Sequence, residues 1–398
     1  MNRSEKLESH VVIVTTFYPN AVLPQRAVFL KQLVEALTDY CSITVVAPIP
    51  YAPGFLKNSK WGKLRSVPAQ ETSHGVTIYH PRFIAVPGME VLSSMSYFLG
   101  TLKRIRQIRA QHKKIILNGH RIYPDGTGVA LVARALHLPY VLTAHGSDIN
   151  RTFTRTGRTS QMKAAMRRAD ALISVSKALI KKITNKVPRE IHHIPCAGFN
   201  PALFKPDATG KHQQETGRVI LYIGALLELK GTGLLVDAWH ILKNAGSVAK
   251  NDKLVLVGDG NYRHILESKI AQYGLADSVT LAGNVDHKDI PLWLNRSNLL
   301  CLPSYMEGTP NVIIEALSCG IPVCATNVGG IPEVIQNDVN GVLIDNLSAD
   351  TIAAALAKCL QKRWDRTALI ESVKQYTWAN LAKSYYSVFN EIEKKCLL

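Results

Sequence analysis

Two glutamates eight residues apart, Glu307 and Glu315, are the residues of this sequence best suited to chemistry. They follow an apolar strand predicted over Leu299 to Pro303 and lie where a loop enters a helix. Glu307 is expected in the loop, beside free backbone N–H groups, and Glu315 about two turns inside the helix. A carboxylate next to an anion-attracting helix start, with a second below it, suits a ligand that carries both hydroxyls and phosphates.

The bounds of this helix are predicted from its capping residues. Thr309 is expected as the N-cap, and Pro310 suits the first helical position. The helix is expected to stop at Cys319, with Gly320 as the glycine that follows it and Pro322 blocking its continuation.

Four other loops in this half of the chain follow predicted strands and are polar or rich in glycine. They contain Lys230, Gly258 with Asp259, Gly283 with Asn284 and Val285, and Gly329 with Gly330. A single glycine turn is usually only a turn, and a single lysine is usually a solvated one. Because the carboxyl ends of parallel strands share one sheet edge, the four loops together indicate a ligand site.

A histidine stands at the corresponding place in the first half of the chain. His145 directly follows the apolar run from Tyr140 to Ala144 and precedes Gly146 and Asp148. A lone histidine is more often structural, but the end of a buried strand is where ligands bind in α/β proteins. Both interpretations stay open from the residues alone.

The pattern along the chain predicts an α/β protein with two doubly wound, Rossmann-like domains facing each other across a cleft. Short apolar runs alternate with helical periodicity, stop in an irregular stretch from Pro195 to Thr216, and then restart. The predicted domains cover residues 1–205 and 206–377, and a final helix over 378–398 is expected to pack back on the first. The cleft is the expected site.

The net positive charge of the chain comes entirely from its first half. The formal net charge is +17, yet residues 1–209 contain 29 Lys and Arg against 11 Asp and Glu, a balance of +18. A bias confined to one domain indicates a local anionic surface rather than nucleic acid. From Tyr97 to Lys114, apolar and basic residues recur at near-helical spacing. This segment is either an amphipathic helix that docks on anionic membrane or one packed on its own sheet.

The composition is that of a globular protein without membrane spans. Hydrophobic residues make up 46% and charged residues 19%, and no apolar run reaches the ~20 residues that cross a bilayer. The seven cysteines form no C-x-x-C pair and fall mostly in apolar stretches, which fits reduced thiols. We therefore expect a cytoplasmic protein. Peripheral contact with the inner face of the membrane is a further expectation.

The stretch from Gly224 to Pro332 resembles glycosyltransferase family 4, the retaining nucleotide-sugar transferases of GT-B fold. The resemblance lies in Gly258-Asp259-Gly260, in Glu307-Gly308-Thr309-Pro310-Asn311 through Glu315, and in Cys319-Gly320 through Gly329-Gly330-Ile331-Pro332. His145-Gly146-Ser147-Asp148 and the tail around Trp378 extend a looser resemblance over nearly the whole chain.

The resemblance implies a role for each site residue. Glu315 would hold the ribose hydroxyls, Lys230 the diphosphate, and His145 would contact the sugar near the reacting carbon. Glu307 would hold the donor sugar, so that His145, Glu307 and Lys230 form the catalytic set. The remaining donor-binding residues would be Gly308, Thr309, Asn311, Val312, Gly258, Asp259, Gly283, Asn284, Val285, Gly329 and Gly330. No Asp-x-Asp pair occurs, and the resemblance implies no metal and no cofactor.

Two departures from the family pattern concern opposite ends of the expected cleft. Many members carry an arginine after the glycine at 224, where this chain has Ala225, so the leaving-group site loses one charge. Many members also have paired glycines in the first βα loop, where this chain reads Pro19-Asn20-Ala21-Val22-Leu23-Pro24. The acceptor end is therefore undefined by the sequence.

The predicted function is transfer of a sugar from a nucleoside diphosphate to an acceptor hydroxyl, in polysaccharide or glycolipid synthesis at the cytoplasmic membrane face. The partners would be a nucleotide-sugar donor and a glycan or lipid-linked acceptor. The alternatives are an epimerase-like GT-B enzyme, which the Glu307 to Glu315 spacing disfavours, and a non-catalytic sugar-nucleotide-binding protein, which Ala225 permits. Nucleic acid is disfavoured because the basic helices lack interleaved aromatic residues. An oxidoreductase is disfavoured because no G-x-G-x-x-G follows a strand.

Overall fold

A computed structural model describes residues 6–24, 26–51, 62–84, 90–146, 148–153, 156–207 and 217–396. Its contacts divide the chain into two compact units. Unit 1 comprises residues 1–196 and 378–398, and unit 2 comprises residues 197–377.

Unit 1 is built on a sheet of eight strands in the order β10-β9-β8-β7-β1-β2-β5-β4, in which only β4 runs antiparallel to its neighbour. Its elements are β1 His10–Val14, α1 Val28–Leu37, β2 Ile43–Val46, β3 Ile49–Pro50, β4 Gln70–Ser73, β5 Val76–Tyr79, β6 Arg82–Phe83, α2 Glu90–Gln111, β7 Ile115–His120, α3 Thr127–Leu136, β8 Tyr140–Ala144, α4 Thr156–Arg168, β9 Ala171–Ser174, α5 Lys177–Thr184, β10 His192–His193 and, at the end of the chain, α12 Trp378–Lys395.

Unit 2 is built on a wholly parallel sheet of six strands in the order β13-β12-β11-β14-β15-β16. Its elements are β11 Val219–Ile223, α6 Thr232–Asn244, β12 Lys253–Val257, α7 Arg263–Gln272, β13 Val279–Gly283, α8 Ile290–Asn295, β14 Leu299–Leu302, α9 Asn311–Ser318, β15 Val323–Thr326, β16 Gly341–Ile344, α10 Ala349–Gln361 and α11 Arg366–Glu371.

The central strands of both sheets read as continuous apolar runs because they are buried on both faces. Every residue of β1, β8 and β14 is buried. This pattern is typical of parallel sheets covered by helices, whereas a strand with one wet face alternates. The predicted α/β architecture with two Rossmann-like domains is confirmed.

The boundary between the units differs from the predicted one. It falls after Cys196, nine residues before the predicted end of the first domain at 205. Phe199 and Phe204 explain the difference, because both are buried in the core of unit 2. The backbone N–H of Phe199 also donates to the carbonyl of Tyr376 at 3.0 Å, which ties the two ends of unit 2 together.

Helix α12 belongs to the core of unit 1, although it is the last element of the chain. Trp378, Tyr385 and Phe389 are buried with the residues of the first sheet, and α12 packs along α1. Ser9 and Glu393 are also joined, since the backbone N–H of Ser9 donates to the Glu393 carboxylate at 2.6 Å.

Candidate functional site

Glycines close the ends of three adjacent strands in unit 2. The N–H of Gly224 donates to the carbonyl of Val257 at 3.0 Å, and the N–H of Gly258 donates to that of Gly283 at 2.8 Å. Gly258 has φ +135°, and a Cβ atom there would lie 1.9 Å from the carbonyl oxygen of Gly224. Only a residue without a side chain fits, so this edge presents backbone rather than side chains to a ligand.

Glu307 and Lys230 form an ion pair at this edge. The Lys230 Nζ donates to Glu307 Oε1 at 2.6 Å, and the hydroxyl of Ser304 donates to the same oxygen at 2.7 Å. The side chain of Glu307 is 10% exposed and that of Lys230 26% exposed. Two opposite charges are thus held side by side at the carboxyl ends of β11 and β14.

The loops that carry this pair are fixed by a further close approach. Gly231 has φ +66°, and a Cβ atom there would lie 1.9 Å from the carbonyl oxygen of Pro303. The N–H of Tyr305 donates to the carbonyl of Leu229 at 3.0 Å. Lys230 and Glu307 therefore meet because their loops are held together by this hydrogen bond and by the close approach at Gly231.

Helix α9 begins one residue later than the capping pattern predicts. It starts at Asn311, with Pro310 in the N-cap position, and no side chain caps it. The prediction of Thr309 as the N-cap and Pro310 as the first helical residue is therefore wrong. Pro310 has an extended backbone with ψ 125°, which excludes it from the helix. Cys319 ends the helix and Gly320 follows at φ +76°, as predicted.

Glu315 is the fifth residue of α9, which is just over one turn from its start rather than about two. It is 4% exposed. His287 Nε2 donates to Glu315 Oε1 at 2.9 Å, and the His287 ring packs against Phe204 with centroids 5.3 Å apart. The hydrogen bond to Glu315 raises the pKa of His287. The buried carboxylate is thus paired with an imidazole that the sequence patterns did not single out.

Gly329 and Gly330 bring a neighbouring loop against the one that carries Glu307. Gly329 has φ +62°, and a Cβ there would lie 2.1 Å from the carbonyl oxygen of Glu307. The N–H of Gly330 donates to the carbonyl of Gly308 at 2.6 Å. A 3-10 turn, Ile331–Glu333, follows these glycines. The two glycines therefore allow these loops to pack closely against each other.

The other predicted donor-binding residues differ in exposure. Asp259 and Asn284 are exposed, and Asp259 accepts from the N–H of Gly260 at 2.8 Å. Val285 and Val312 are partly buried and pack on the core of unit 2. Gly308, Thr309 and Asn311 are half-buried around the start of α9. Ala225 is exposed, and its carbonyl accepts from the buried hydroxyl of Tyr222 at 2.9 Å.

In unit 1, Asp148 fixes the loop that holds His145. Its Oδ1 accepts from the N–H groups of Gly146 at 2.9 Å and Ile149 at 3.1 Å, and its Oδ2 accepts from that of Ile122 at 2.7 Å. The carboxylate is fully buried. It therefore joins the loop after β8 to the loop after β7.

His145 is half-buried and contacts a second histidine. Its Nε2 lies 2.9 Å from His120 Nδ1, and Phe29 packs nearby with ring centroids 5.8 Å apart. Burial lowers the pKa of His145 to about 4, against the opposing effect of the Asp148 carboxylate. His145 is therefore a neutral imidazole at physiological pH.

The predicted residues thus fall into two groups. Unit 2 holds Lys230 with Glu307 and, as a second pair, Glu315 with His287, and unit 1 contains His145 directly after β8. Sequence reasoning missed Ser304, His287 and His120. His287 stands four residues beyond Gly283, and His120 is the last residue of β7, so position near a strand end was the available signal.

The described part of the chain contains no group of three or more His, Cys, Asp or Glu side chains arranged to hold a metal ion. Among the same residues, no helix has the length and apolarity to cross a membrane.

Comparison with known proteins identifies the class that this fold and site define. Residues 205–376 match the family model described as Glycosyl transferases group 1, and residues 27–197 match the model described as Glycosyltransferase Family 4. The solved structures that it resembles are glycosyltransferases of the GT-B fold class. The chain belongs to glycosyltransferase family 4, and it is an enzyme of the glycosyltransferase class.

Individual relatives agree with this assignment. The chain is 28% identical over 361 residues to the putative teichuronic acid biosynthesis glycosyltransferase TuaC of Bacillus subtilis, covering 87% of this chain and 88% of that protein. It is 24% identical over 350 residues to a D-inositol 3-phosphate glycosyltransferase of Jonesia denitrificans, covering 80% and 82%. Its fold matches that of Anabaena Alr3699/HepE in complex with UDP, with a TM-score of 0.72, 18% identity and coverage of 96% and 100%. HepE has also been solved with UDP-glucose.

Proposed function

We propose that the protein is a retaining glycosyltransferase that transfers a sugar from a nucleoside diphosphate donor to an acceptor hydroxyl. We place it in polysaccharide or glycolipid synthesis at the cytoplasmic face of the membrane. The relative TuaC, named for teichuronic acid biosynthesis, supports the polysaccharide class. The complexes of HepE with UDP and UDP-glucose support a uridine nucleotide as the first donor to test.

The Lys230–Glu307 ion pair is the observation that carries this proposal. Departure of a nucleoside diphosphate leaves negative charge that a cation must stabilise, while the sugar becomes positively charged and needs a nearby carboxylate. Lys230 and Glu307 supply these two charges 2.6 Å apart. The pair therefore suits the junction between the sugar and the diphosphate, with Glu315 left to the ribose hydroxyls.

Transfer is tested with a panel of nucleotide sugars and extracted glycan or lipid acceptors. We expect saturation-transfer NMR to select one or two donors, and the anomeric proton coupling of the product to match that of the donor. Inverted configuration would contradict the retaining assignment. Epimerised sugar in the absence of acceptor, or donor binding without any transfer, would contradict the proposed reaction.

We further propose that the acceptor binds in a cavity of about 410 Å³ in unit 1. Asn20, Arg26 and His80 supply polar groups, while Leu64 and Phe83 supply apolar walls. The cavity lies at the carboxyl ends of β1, β2 and β5, where ligands bind in doubly wound sheets. This location supports an acceptor that is recognised by both hydroxyls and apolar surface.

Arg26 provides the test of the acceptor cavity. Its guanidinium lies 5.1 Å from the centroid of the Phe17 ring, and burial lowers its pKa. We expect Arg26→Gln to raise the acceptor KM about tenfold with little change in donor KM, as for one lost charge-assisted hydrogen bond. Arg134→Gln, an exposed arginine on α3, is the control. An unchanged acceptor KM in folded Arg26→Gln would place the acceptor elsewhere.

Peripheral membrane contact is proposed through the exposed face of α2. Leu102, Ile105 and Ile108 are buried in the core of unit 1, so the apolar stripe of this helix packs on its own sheet. Leu99, however, is 58% exposed, and Met95 is 50% exposed. These two side chains could enter the interface while neighbouring basic residues meet anionic headgroups.

Three basic residues of this segment have partners within the protein. Arg104 stacks on Tyr79 at 4.2 Å, Arg109 donates to a backbone carbonyl at 2.7 Å, and Lys114 pairs with Glu8. Lys103, Arg106 and Lys113 are exposed.

Replacing these three exposed residues with glutamine is expected to weaken co-sedimentation with anionic liposomes and to remove its salt dependence, at ~1 kcal/mol for each charge. The matched control replaces Lys250, Lys288 and Lys374, three exposed lysines of unit 2. Equal loss from both triple variants, or no binding to liposomes, would contradict the proposal.

A further inference from the structure

A chain of two buried polar side chains, Asn118 and His120, leads to His145 from inside unit 1. His120 is the last residue of β7 and is 1% exposed, and Asn118, two residues earlier, is fully buried. Asn118 Oδ1 lies 2.8 Å from His120 Nε2, and His120 Nδ1 lies 2.9 Å from His145 Nε2. The parallel pairing of β7 with β8 brings these residues together, since His120 is in register with Thr143.

The orientation of the Asn118 amide is determined by its second set of contacts. Its Nδ2 lies 3.3 Å from the carbonyl oxygen of Val141 and 3.2 Å from the hydroxyl of Thr143. A carbonyl oxygen can only accept, so the amide NH₂ must face it. The amide oxygen must then face His120, where it too can only accept.

The proton positions on both imidazoles follow in sequence. Because Asn118 Oδ1 accepts, His120 Nε2 must carry the hydrogen. Burial holds the pKa of His120 well below its ordinary value, so the ring is neutral and its Nδ1 is a bare lone pair. His145 Nε2 must therefore carry the hydrogen that bonds to His120. In a neutral His145, the remaining nitrogen, Nδ1, is an acceptor.

We propose that Asn118 and His120 are positioning residues that hold His145 as the Nε2–H tautomer and present its Nδ1 as a hydrogen-bond acceptor to a donor-sugar hydroxyl. The proposal rests on the proposed function for the identity of the ligand. It assigns no proton donation or positive charge to His145, because its only ring hydrogen is committed to His120. The opposite tautomer would present an N–H group there, and the hydroxyl could then only accept from it.

Helix α12 contributes to the same arrangement. The Tyr385 ring lies parallel to the His120 ring, with centroids 6.0 Å apart and planes at 16°. The His120 and His145 rings are tilted by 36°, with centroids 5.1 Å apart. The orientation of His120 is thus fixed by packing as well as by hydrogen bonds.

The tautomer is measured directly by two-bond ¹H–¹⁵N correlation NMR of the full chain labelled in its histidine rings, without ligand. The His145 signals are assigned by their loss in His145→Gln. We expect the neutral Nε2–H pattern for His145 and His120 at pH 7.5. An Nδ1–H pattern for either ring, or an imidazolium at His145, would overturn the proposal whether or not the protein transfers sugar.

Kinetics of two His120 variants separate positioning from folding. His120→Phe removes the acceptor, and we expect kcat to fall about tenfold with the donor KM changed less than twofold, as for one neutral hydrogen bond. His120→Asn can place an amide oxygen near the former Nδ1, and we expect it to restore most of kcat. The control is His10→Phe. His10 is a buried histidine at the start of β1, at the sheet edge opposite the one where His120 ends β7, and it bonds to Ser42 and Thr44 at 2.9 Å.

His10→Phe is expected to lose thermal stability and keep kcat. An equal loss of kcat in His10→Phe and His120→Phe, or no rescue by His120→Asn while the wild-type tautomer is as stated, would reduce His120 to a structural residue. Failure of the wild-type enzyme to bind any nucleotide sugar would contradict the proposed function instead. The tautomer of His145 is measured without ligand, so that result would not depend on donor binding.

Discussion

The two units hold their candidate site residues by different physical means. In unit 1, His145 belongs to a network of neutral groups, with His120 and Asn118 behind it. In unit 2, Glu307 and Glu315 are each paired with a basic side chain. A neutral network keeps its geometry without a ligand, whereas an ion pair can exchange one partner for a charged ligand.

The net charges of the two units do not follow the charges of their site residues. Unit 1 contains 31 Lys and Arg against 12 Asp and Glu, a balance of +19, and unit 2 contains 16 against 18, a balance of −2. The basic unit is thus the one whose site histidines are neutral, and the nearly neutral unit is the one whose site is ionic. Overall charge reports on the surface and on the partners that approach it, not on the groups in the site.

Replacing Lys230 tests the ionic side of this comparison and has the largest expected effect. Lys230→Ala is expected to lower kcat about 10²- to 10³-fold, because the charge on the leaving diphosphate develops in the transition state. Lys230→Arg keeps the charge and is expected to lose less. Ala225 stands where many members of the family have an arginine, so that position supplies no second cation for the diphosphate beside Lys230. Equal turnover of wild type and Lys230→Ala would place the lysine outside the site.

Replacing Glu315 tests the second ion pair through donor binding. A charge-assisted hydrogen bond contributes ~1.5–3 kcal/mol, so Glu315→Ala is expected to weaken nucleoside diphosphate binding about 10- to 100-fold. Titration calorimetry with the bare nucleotide measures it. His287→Ala separates the two roles of the carboxylate, since it removes the pair and keeps Glu315. Unchanged affinity in folded Glu315→Ala would make this residue purely structural.

Replacing His145 tests the neutral side. His145→Ala is expected to lower kcat about tenfold with little change in donor KM, as for one neutral hydrogen bond that strengthens near the transition state. A smaller effect than that of Lys230→Ala would agree with the comparison. Loss of thermal stability with kcat retained would return His145 to a structural role.

Mild acid should affect the two units in opposite directions. Burial lowers the pKa of His10 and His145 to about 4 and holds that of His120 well below its ordinary value. The unfolded chain therefore takes up protons first, and unit 1 loses stability as pH falls from about 6.5. Asp125, whose pKa burial raises to about 6, offsets part of this loss. The pKa of His287 is raised, so its contribution to unit 2 is fully present below about 6.5 and is lost as pH rises through the folded-state pKa.

Hydrogen exchange corrected for intrinsic rates measures this difference. Between pH 7 and 4.5 we expect protection to fall in β1, β7 and β8 before it falls in β11 and β12. His287→Gln should remove any gain in unit 2 at the lower pH. Parallel loss in both units would show that the histidines do not set their acid response.

The sequence predicted most of the sheets because their strands are buried on both faces. The apolar runs predicted over Tyr140 to Ala144 and Leu299 to Pro303 occur as β8 and β14 within one residue. Sequence reasoning missed five strands of unit 1, namely β3, β4, β5, β6 and β10. Gln70–Ser73 is polar and half exposed, and His192–His193 contains two residues, so neither gives a periodic signal.

The identity of a site residue was predictable where the residue follows a strand. Its side-chain contacts were not predictable where the partner comes from a distant part of the sequence. Lys230 and Glu307 were named from loop position, and Glu315 from its place in the helix that follows. The bond of Ser304 to Glu307 lies within one loop. The contacts of Lys230 with Glu307 and of His287 with Glu315 join segments that are distant in the sequence. The N-cap was misplaced because Thr309 has a suitable side chain, while the extended Pro310 decides where the helix starts. Local preference therefore identified the residues, and tertiary contacts determined their arrangement.

The position of α12 has a consequence for the order in which the protein folds during synthesis. Unit 2 is a continuous segment, residues 197–377, whereas unit 1 needs Trp378 and Tyr385 from the end of the chain. Domains usually fold in the order in which they leave the ribosome, the N-terminal one first. Here the N-terminal unit is expected to be completed last. Nascent chains stopped after residue 377 should accordingly show a protease-resistant unit 2 beside a protease-sensitive unit 1, and release of the last helix should close the first unit around the histidines.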